Sequence, residues 1–367
     1  MHKHPIISYQ PLRLLFQLVY IINIIGRLPA FFLSALIPAL RPHPRWTAKN
    51  AFMVRLSRAA IDMWARIGIT ESLSLAKGKE GDRFQVVGPA RLDLYQGPLL
   101  SDVKPVVVGG TWFPGAPVSD IASKMIVLYL HGGAYVQGDG RTEGFGFVAN
   151  TLLENSGVDA VFSVQYRLSG YSGLNPFPAA LQDALTCYVF LLQEHKVPPH
   201  HVILCGDSAG GNLAIALLRY IQEFGDDIGV PPPRCAALFS PWVSPFDLDR
   251  VNNRNRHSDY LPTSFLRWGS HAYAGDLPNA VSHPYISPLG QPFASATPIF
   301  INTGSAELFC DADIRWAEEM KAVEGNVIEL HLEDGACHDT LFAGGLLGFE
   351  TSVRETVLKL RSFISGS

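Results

Sequence analysis

The chain has 367 residues, a formal net charge of −4, a hydrophobic fraction of 47% and only 17% charged residues. This composition is typical of a globular protein with a large apolar core, and it argues against a disordered chain. Lysines and arginines form no cluster interleaved with aromatic residues, so we expect no nucleic-acid partner. Strand-like and helix-like segments alternate without a linker from Met125 onward, which favours one α/β core with insertions over two domains.

The first 80 residues allow several interpretations. Residues 12–40 are largely apolar, but polar residues and two prolines interrupt them and leave Leu18–Ile25 as the strongest piece. This piece is shorter than the roughly 20 apolar residues of a membrane-spanning helix, and no signal-peptide cleavage site follows it. Residues 1–80 are therefore predicted to form either helices that cover an active site or a segment that contacts or anchors to a membrane.

A predicted buried strand followed by two glycines is the first sign of chemistry. The apolar run Met125–Leu130 leads directly into His131-Gly132-Gly133-Ala134-Tyr135. Two consecutive glycines let their backbone amides approach a substrate without obstruction, as the oxyanion hole of an acyl-transfer site requires. Gly132 and Gly133 are therefore candidate oxyanion donors, although a flexible glycine turn would have the same pattern.

A Gly-x-Ser-x-Gly pattern, Gly206-Asp-Ser-Ala-Gly210, lies between the strand-like run His201–Cys205 and the helix-like stretch Asn212–Arg219. A sharp turn from strand to helix requires glycine on both sides of the serine, because the strained backbone leaves no room for neighbouring side chains. Such a turn exposes the serine hydroxyl. Ser208 is therefore the candidate nucleophile, and the amide of Ala209 is a candidate third oxyanion donor.

A long insertion at about residues 245–296 follows the predicted strand Cys235–Ser240. Its second half, Leu261–Ala274, is predicted to be helical and carries several aromatic residues. Because the insertion would lie over the carboxyl ends of the strands, its aromatic side chains and those beside the motifs are expected to line a substrate pocket. The predicted pocket residues are Trp112, Tyr135, Trp242, Phe265, Trp268, Phe309 and Phe342.

Three carboxylates follow the strand-like run Pro298–Gly304. A triad acid orients the base histidine and stabilises its cation, so it belongs in a loop after a strand. Glu307 comes first after this strand, whereas Asp311 stands where a helix N-cap is expected, before Ile314–Met320. Glu307 is therefore the favoured acid, and Asp311 is the alternative.

The last predicted strand, Val327–Leu332, leads into a loop that contains His338. In hydrolases with such a serine turn, the chain order is serine, then carboxylate, then histidine. This loop position distinguishes His338 from His331, which alternates within the strand. His338 is therefore the candidate base, which takes the proton of Ser208 and later protonates the leaving group.

Together these motifs resemble the hormone-sensitive-lipase-like branch of the α/β-hydrolases. The match includes His131-Gly132-Gly133, Gly206–Gly210, Gln165-Tyr-Arg-Leu168 and Phe177–Ala184, and it extends over roughly residues 80–363. The resemblance implies an α/β-hydrolase fold, with a mostly parallel central sheet, helices on both faces and a helical cap. Within the family, the stretches Arg41–Thr47 and Gly109–Pro114 are similar to fungal acetyl-hydrolase-like and secondary-metabolism members.

The resemblance also implies that Ser208, Glu307 and His338 form a catalytic triad within a core of residues 81–367. The acid departs from the family pattern, because the usual Asp-Pro-Leu is replaced by Glu307-Leu308-Phe309. This substitution keeps the charge and lengthens the side chain.

The predicted function is hydrolysis of a short acyl or acetyl ester of a hydrophobic metabolite by a serine esterase that forms an acyl-enzyme. No Arg or Lys lies beside the motifs to hold a charged group. The alternative is a biosynthetic tailoring enzyme that uses the same site for lactonisation, thioester release, or condensation or cyclisation of a polyketide- or terpenoid-like intermediate. A non-catalytic receptor fits less well, since all three triad residue types are present.

The cysteines point to an intracellular protein, either cytoplasmic or associated with a membrane surface. There are five, an odd number, and two of them lie in predicted core strands, so we expect reduced thiols and no disulfide framework. No pair has the spacing of zinc ligands. We therefore expect no metal and no organic cofactor.

Overall fold

A computed structural model describes residues 3–115, 120–249 and 252–367. Their centre is an eight-stranded sheet with the spatial order β1-β2-β4-β3-β5-β6-β7-β8. The β1–β2 and β2–β4 pairs are antiparallel and the other pairs are parallel. The strands are β1 (Phe84–Val87), β2 (Val108–Phe113), β3 (Ile126–Leu130), β4 (Ala160–Gln165), β5 (Val202–Asp207), β6 (Cys235–Phe239), β7 (Ile299–Gly304) and β8 (Ile328–Glu333).

Nine α-helices of the described residues surround this sheet or extend from it. They are α1 (Leu12–Leu36), α2 (Ala48–Ile67), α3 (Thr142–Asn155), α4 (Ala179–Gln193), α5 (Ala209–Ile228), α6 (Thr263–Ala274), α7 (Cys310–Lys321), α8 (Thr340–Leu347) and α9 (Glu350–Gly366).

Both faces of the sheet are covered by helices. Every residue of β3, β5, β6 and β7 is buried, as is expected of parallel strands with helices on either side. One apolar core packs α4 and α5 against one face, and a second core packs α3 and α9 against the other. The predicted fold, a mostly parallel sheet with helices on both faces, is confirmed.

The N-terminal segment differs from the sequence-based expectation. The helix is much longer than the apolar piece Leu18–Ile25 that the sequence singles out, because α1 is one continuous helix of 25 residues. The isolated polar residues of α1 do not end the helix. Pro29 does not end it either, because a proline can bend a helix without terminating it. By length and composition alone, α1 is sufficient to cross a membrane.

The N-terminal helices and the insertion meet above the carboxyl ends of the strands. Helix α2 packs against α1, and it also contacts α6 and α8. The insertion contributes α6, whose first residue is Thr263, in agreement with the predicted helix. These contacts place one N-terminal helix and one insertion helix beside the loops that follow β3, β5 and β8.

Candidate active site

Ser208 occupies the turn between β5 and α5, with φ 50° and ψ −115°. Residues other than glycine seldom adopt this strained backbone conformation. A Cβ atom at Gly206 would lie 2.3 Å from the Gly210 carbonyl oxygen, and one at Gly210 would lie 1.9 Å from the Leu130 carbonyl oxygen. Both glycines are therefore sterically required, for the reason that the sequence indicates.

The loop after β3 brings backbone amides close to Ser208. A Cβ atom at Gly132 would lie 2.1 Å from Asp207 Oδ2, and Gly133 has φ +107° and would place a Cβ atom 2.2 Å from the Gln137 carbonyl oxygen. Within the described part of the chain, the amides of Gly132, Gly133 and Ala209 donate no hydrogen bond. They are thus available to a ligand, and Ala209 begins α5, where the helix dipole favours negative charge.

An aromatic residue after β4 holds this loop in place. The Tyr166 ring stacks on His131 with 4.2 Å between the ring centroids. The Tyr166 hydroxyl also donates to the His131 carbonyl oxygen at 2.6 Å. Preorganised donors of an oxyanion hole need such support, because they act without rearranging during the reaction.

Glu307 and His338 face each other in the interior. His338 Nδ1 lies 3.7 Å from Glu307 Oε2, and both side chains are almost completely buried. The same carboxylate oxygen accepts a hydrogen bond from Ser240 Oγ at 2.5 Å. Ser240 Oγ in turn accepts the backbone N–H of Asp339 at 2.9 Å. Ser240 thus connects the loop that carries Glu307 to the loop that carries His338.

Asp311 lies apart from this group. Its side chain is exposed and forms an ion pair with Arg254 at 2.6 Å. The expectation that Asp311 caps α7 is wrong, because Phe309 is the N-cap residue and Asp311 lies in the first turn. The helix begins two residues earlier than an N-cap at Asp311 would place it. Of the two carboxylates weighed from the sequence, the geometry favours Glu307 as the partner of His338.

The electrostatic surroundings raise the pKa of His338. Burial on its own lowers this pKa, but the attraction of Glu307, with smaller contributions from Asp259 and Asp207, more than offsets it. The buried carboxylates therefore stabilise the imidazolium form. A base that must hold a proton during part of a reaction benefits from this arrangement.

A second buried carboxyl group, Asp313, lies behind Glu307. Thr303 Oγ1 is 2.6 Å from Glu307 Oε1 and 2.9 Å from Asp313 Oδ2. One hydroxyl has a single hydrogen, so two such contacts require a proton on one carboxyl group. Burial, and next the charge of Glu307, raises the pKa of Asp313 well above its usual value. The shared hydroxyl and the raised pKa both favour a proton on Asp313, which would then donate to Thr303 while Thr303 donates to Glu307.

Side chains of the insertion hold the loop that carries Glu307 by hydrogen bonds to the backbone of that loop. Asn255 Nδ2 donates to the carbonyl oxygens of Ser305 and Glu307, at 3.0 and 2.7 Å. Asp259, which is fully buried, accepts the backbone N–H of Leu308 at 2.6 Å. The cap insertion therefore fixes the position of Glu307 as well as covering the site.

A cavity of about 420 Å³ opens above Ser208 and His338. This volume is within the usual range for small-molecule sites. Its described lining contains no lysine or arginine, and its walls are largely apolar. The apolar and aromatic lining residues include Ile61, Trp64, Leu73, Val136, Phe145, Leu168, Tyr260, Leu261, Phe265 and Phe342.

Only two of the seven predicted pocket residues, Phe265 and Phe342, line this cavity. The other five are core side chains, so the expectation that they line the pocket is not met. Tyr135 stacks on Tyr273 at 3.5 Å, and Trp112 packs on Phe162 in the sheet. The remaining three pack against other aromatic rings: Trp242 against Phe309, Phe309 also against His338, and Trp268 against Trp64.

Sequence reasoning missed several residues of the site. Ser240 directly follows β6, and a polar residue at the carboxyl end of a parallel strand was a usable signal. Asp313 is the third carboxylate after β7, but nothing in the sequence distinguishes it from any acidic residue in the first turn of a helix. Ile61 and Trp64 reach the cavity from a helix more than 140 positions before Ser208 in the chain.

Known proteins resemble this chain. Residues 127–342, more than half of the chain, match the family described as alpha/beta hydrolase fold. An acetyl-hydrolase of Streptomyces hygroscopicus is 34% identical over 204 residues, which are 55% of this chain and 63% of that protein. An esterase of Mycobacterium tuberculosis is 28% identical over 267 residues, 70% of this chain and 77% of that protein. A hormone-sensitive lipase structure from a metagenome library has a TM-score of 0.58 at 26% identity, covering 71% of this chain and 82% of that one.

The chain belongs to the α/β-hydrolase fold family. Within that family it is a member of the hormone-sensitive-lipase-like branch, as the resemblance of its motifs predicts. The chain spans about 63% of the length of the Streptomyces relative.

Proposed function

We propose that the protein is a serine esterase that hydrolyses a short acyl ester, such as an acetyl ester, of a hydrophobic metabolite. One observation carries the proposal: a strained serine opens into an apolar cavity that also contains a histidine backed by a buried carboxylate. The printed names of the relatives, an acetyl-hydrolase and an esterase, support the same reaction class.

Acylation begins at Ser208. His338 takes the hydroxyl proton while Oγ attacks the ester carbonyl carbon, and Glu307 stabilises the imidazolium that forms. The amides of Gly132, Gly133 and Ala209 bind the oxyanion of the tetrahedral intermediate. When the intermediate collapses, His338 gives its proton to the leaving alkoxide, and the alcohol departs.

Deacylation repeats these steps with water. His338 takes a proton from a water molecule, whose oxygen attacks the acyl-enzyme carbonyl. The second oxyanion is held by the same amides, and the proton returns to Ser208 Oγ as the carboxylic acid leaves. This sequence requires neither a metal nor an organic cofactor.

The cavity supports an apolar substrate without a carboxylate. Its described lining offers aliphatic and aromatic surface and contains no lysine or arginine. It does contain the carboxyl groups of Glu71, Asp139, Asp207 and Asp339, so a substrate carboxylate would be repelled there. The five cysteines are free and buried, which supports an intracellular location.

The test compares a series of p-nitrophenyl esters from acetyl to hexanoyl with wild type and Ser208→Ala. We expect turnover that decreases by at least about 10⁴-fold in the variant. A fluorophosphonate probe, with labelling located by mass spectrometry, should modify Ser208 in the wild type. Labelling without turnover would favour the tailoring reactions, and failure of both would contradict a serine enzyme.

A further inference from the structure

A second cavity lies on the other side of α2 and α6 from the candidate active site. Its volume is about 910 Å³, and it is bounded by α1, α2, α6 and the segment after α1. Six arginines line it, although the whole chain has a net charge of −4. These arginines are Arg27, Arg41, Arg55, Arg58, Arg66 and Arg267.

The positive charge of this cavity is poorly compensated. Among the described residues that line it, Asp62 is the only carboxylate. Asp62 forms an ion pair with Arg66 at 2.7 Å and also accepts hydrogen bonds from Ser264 and Tyr20. Asp62 is therefore already engaged by three donors.

The half-buried arginines donate to neutral backbone groups. Arg41 donates to the carbonyl oxygens of Ala35 and Trp46, both at 2.8 Å. Arg58 donates to the carbonyl oxygen of Arg256 at 2.6 Å. Burial lowers the pKa of Arg58, and the attraction of Asp259 and Asp62 does not fully offset it. An anion in the cavity would offset the free-energy cost of burying this charged guanidinium group.

Helix α1 lies between this cavity and the surroundings. Tyr20, Arg27 and Phe31 are spaced by seven and four residues, so they share the face that lines the cavity. Most of the exposed side chains of the helix are apolar, with Asn23 as a polar exception, and only 6% of its most apolar stretch is buried. The exposed side chains include Leu14, Leu15, Leu18, Val19, Ile22, Ile25, Phe32, Leu33 and Leu36.

We propose that the arginine-lined cavity binds the anionic head groups of membrane lipids while the outer face of α1 lies among their acyl chains. Amphipathic helices of this type enter the membrane interface by roughly 5–10 Å, and a helix is about 10 Å across. The cavity face of α1 would then lie at the depth of the head groups. Charge complementarity and the apolar face thus select the same occupant, an anionic lipid surface.

The experiment is co-sedimentation of the full chain with vesicles. Wild type should bind vesicles that contain about one third phosphatidylserine in phosphatidylcholine, and bind far less to pure phosphatidylcholine. Rising salt should weaken the binding. Equal binding to both vesicle types, or none to either, would overturn the proposal.

Paired variants test the cavity itself. Arg27→Gln with Arg267→Gln should weaken binding to the anionic vesicles about thirty-fold, because each arginine near such a surface contributes about 1 kcal/mol. The matched control, Arg354→Gln with Arg361→Gln, removes the same charge from exposed positions on α9 and should change binding less than about threefold. Equal loss in the two pairs would show that net charge alone acts and would contradict the assigned cavity.

Two further experiments test the apolar face of α1 and distinguish binding of a lipid surface from binding of a free anion. Leu18→Ser with Ile22→Ser should reduce vesicle binding by about tenfold or more, with thermal unfolding as the control for folding. Saturable binding of inorganic phosphate without vesicle binding would reassign the cavity to small anions and overturn the lipid assignment. These measurements do not involve ester turnover, so their outcome is independent of the proposed function.

Discussion

The two cavities lie on opposite sides of the same pair of helices, and they differ in charge. On the active-site side, α2 and α6 contribute Ile61, Trp64 and Phe265 beside buried carboxyl groups. On the other side, the same helices contribute Arg58, Arg267 and further arginines. Two amphipathic helices can therefore separate an apolar reaction site from a cationic surface with no additional domain.

The charged groups of the two cavities act over different ranges. Buried carboxylates near His338 act at short range in a medium that screens little, so single side chains should matter greatly there. The arginines lie at or near the surface, where solvent and salt screen them and several must act together. The following predictions test the active-site half of this comparison, from the largest expected effect to the smallest.

Replacing Glu307 should have the largest effect among these predictions. Glu307→Gln is expected to reduce kcat/KM for p-nitrophenyl acetate by about 10³-fold, because the imidazolium loses its counter-charge and its orientation. Asp311→Asn is the matched control, since it removes a nearby exposed carboxylate, and it should stay within about threefold of wild type. The reverse order of effects would identify Asp311 as the acid.

Asp313 should act through its neutral form. Asp313→Leu is expected to lower kcat/KM by about tenfold, because Thr303 loses a donor and no longer orients Glu307. Asp313→Asn keeps a donor without a charge and should restore kcat/KM to within about threefold of wild type. If Asp313 were ionised, Asp313→Asn would instead shift the acid limb of the pH profile to lower pH, which is the outcome that would contradict the neutral acid.

The pH dependence of kcat/KM should report the raised pKa of His338. The base must be neutral to accept a proton, so activity should fall as the pH decreases through a midpoint above the usual histidine value of about 6.5. In Glu307→Gln the main cause of the increase is gone and burial remains, so the midpoint should move to lower pH. An unchanged midpoint would show that Glu307 does not interact with the titrating group.

Substitutions in the cavity wall should change selectivity more than rate. Phe265→Ala is expected to raise the hexanoyl-to-acetyl ratio of kcat/KM by about fivefold, because it enlarges the apolar cavity. Leu346→Ala, on the exposed side of α8, is the control and should leave the ratio unchanged. An equal response of both variants would mean that Phe265 does not contact the acyl chain.

The sequence predicted the elements that depend on local patterns. Glycines around Ser208 and after β3 are required by steric contacts, so they identified the serine turn and the loop of Gly132 and Gly133. The position of His338 after the last strand likewise follows from chain order. Steric requirements of this kind depend on nearby backbone, and a single sequence therefore reveals them.

Residues whose roles depend on distant contacts could not be assigned in advance. Trp112 and Tyr135 stand beside the motifs in sequence, yet the direction of their side chains places them in the core. Ile61 and Trp64 reach the cavity only because α2 folds across α6.

Sequence alone thus determined the fold family. It also predicted the candidate serine and the glycine-rich loop, because their glycines are sterically required, and the candidate histidine, because of its place in the chain order. Tertiary structure decided which carboxylate faces His338, which aromatic side chains line the cavity and where six arginines converge. Burial and charge depend on how segments far apart in the chain are brought together, and no local pattern encodes that arrangement.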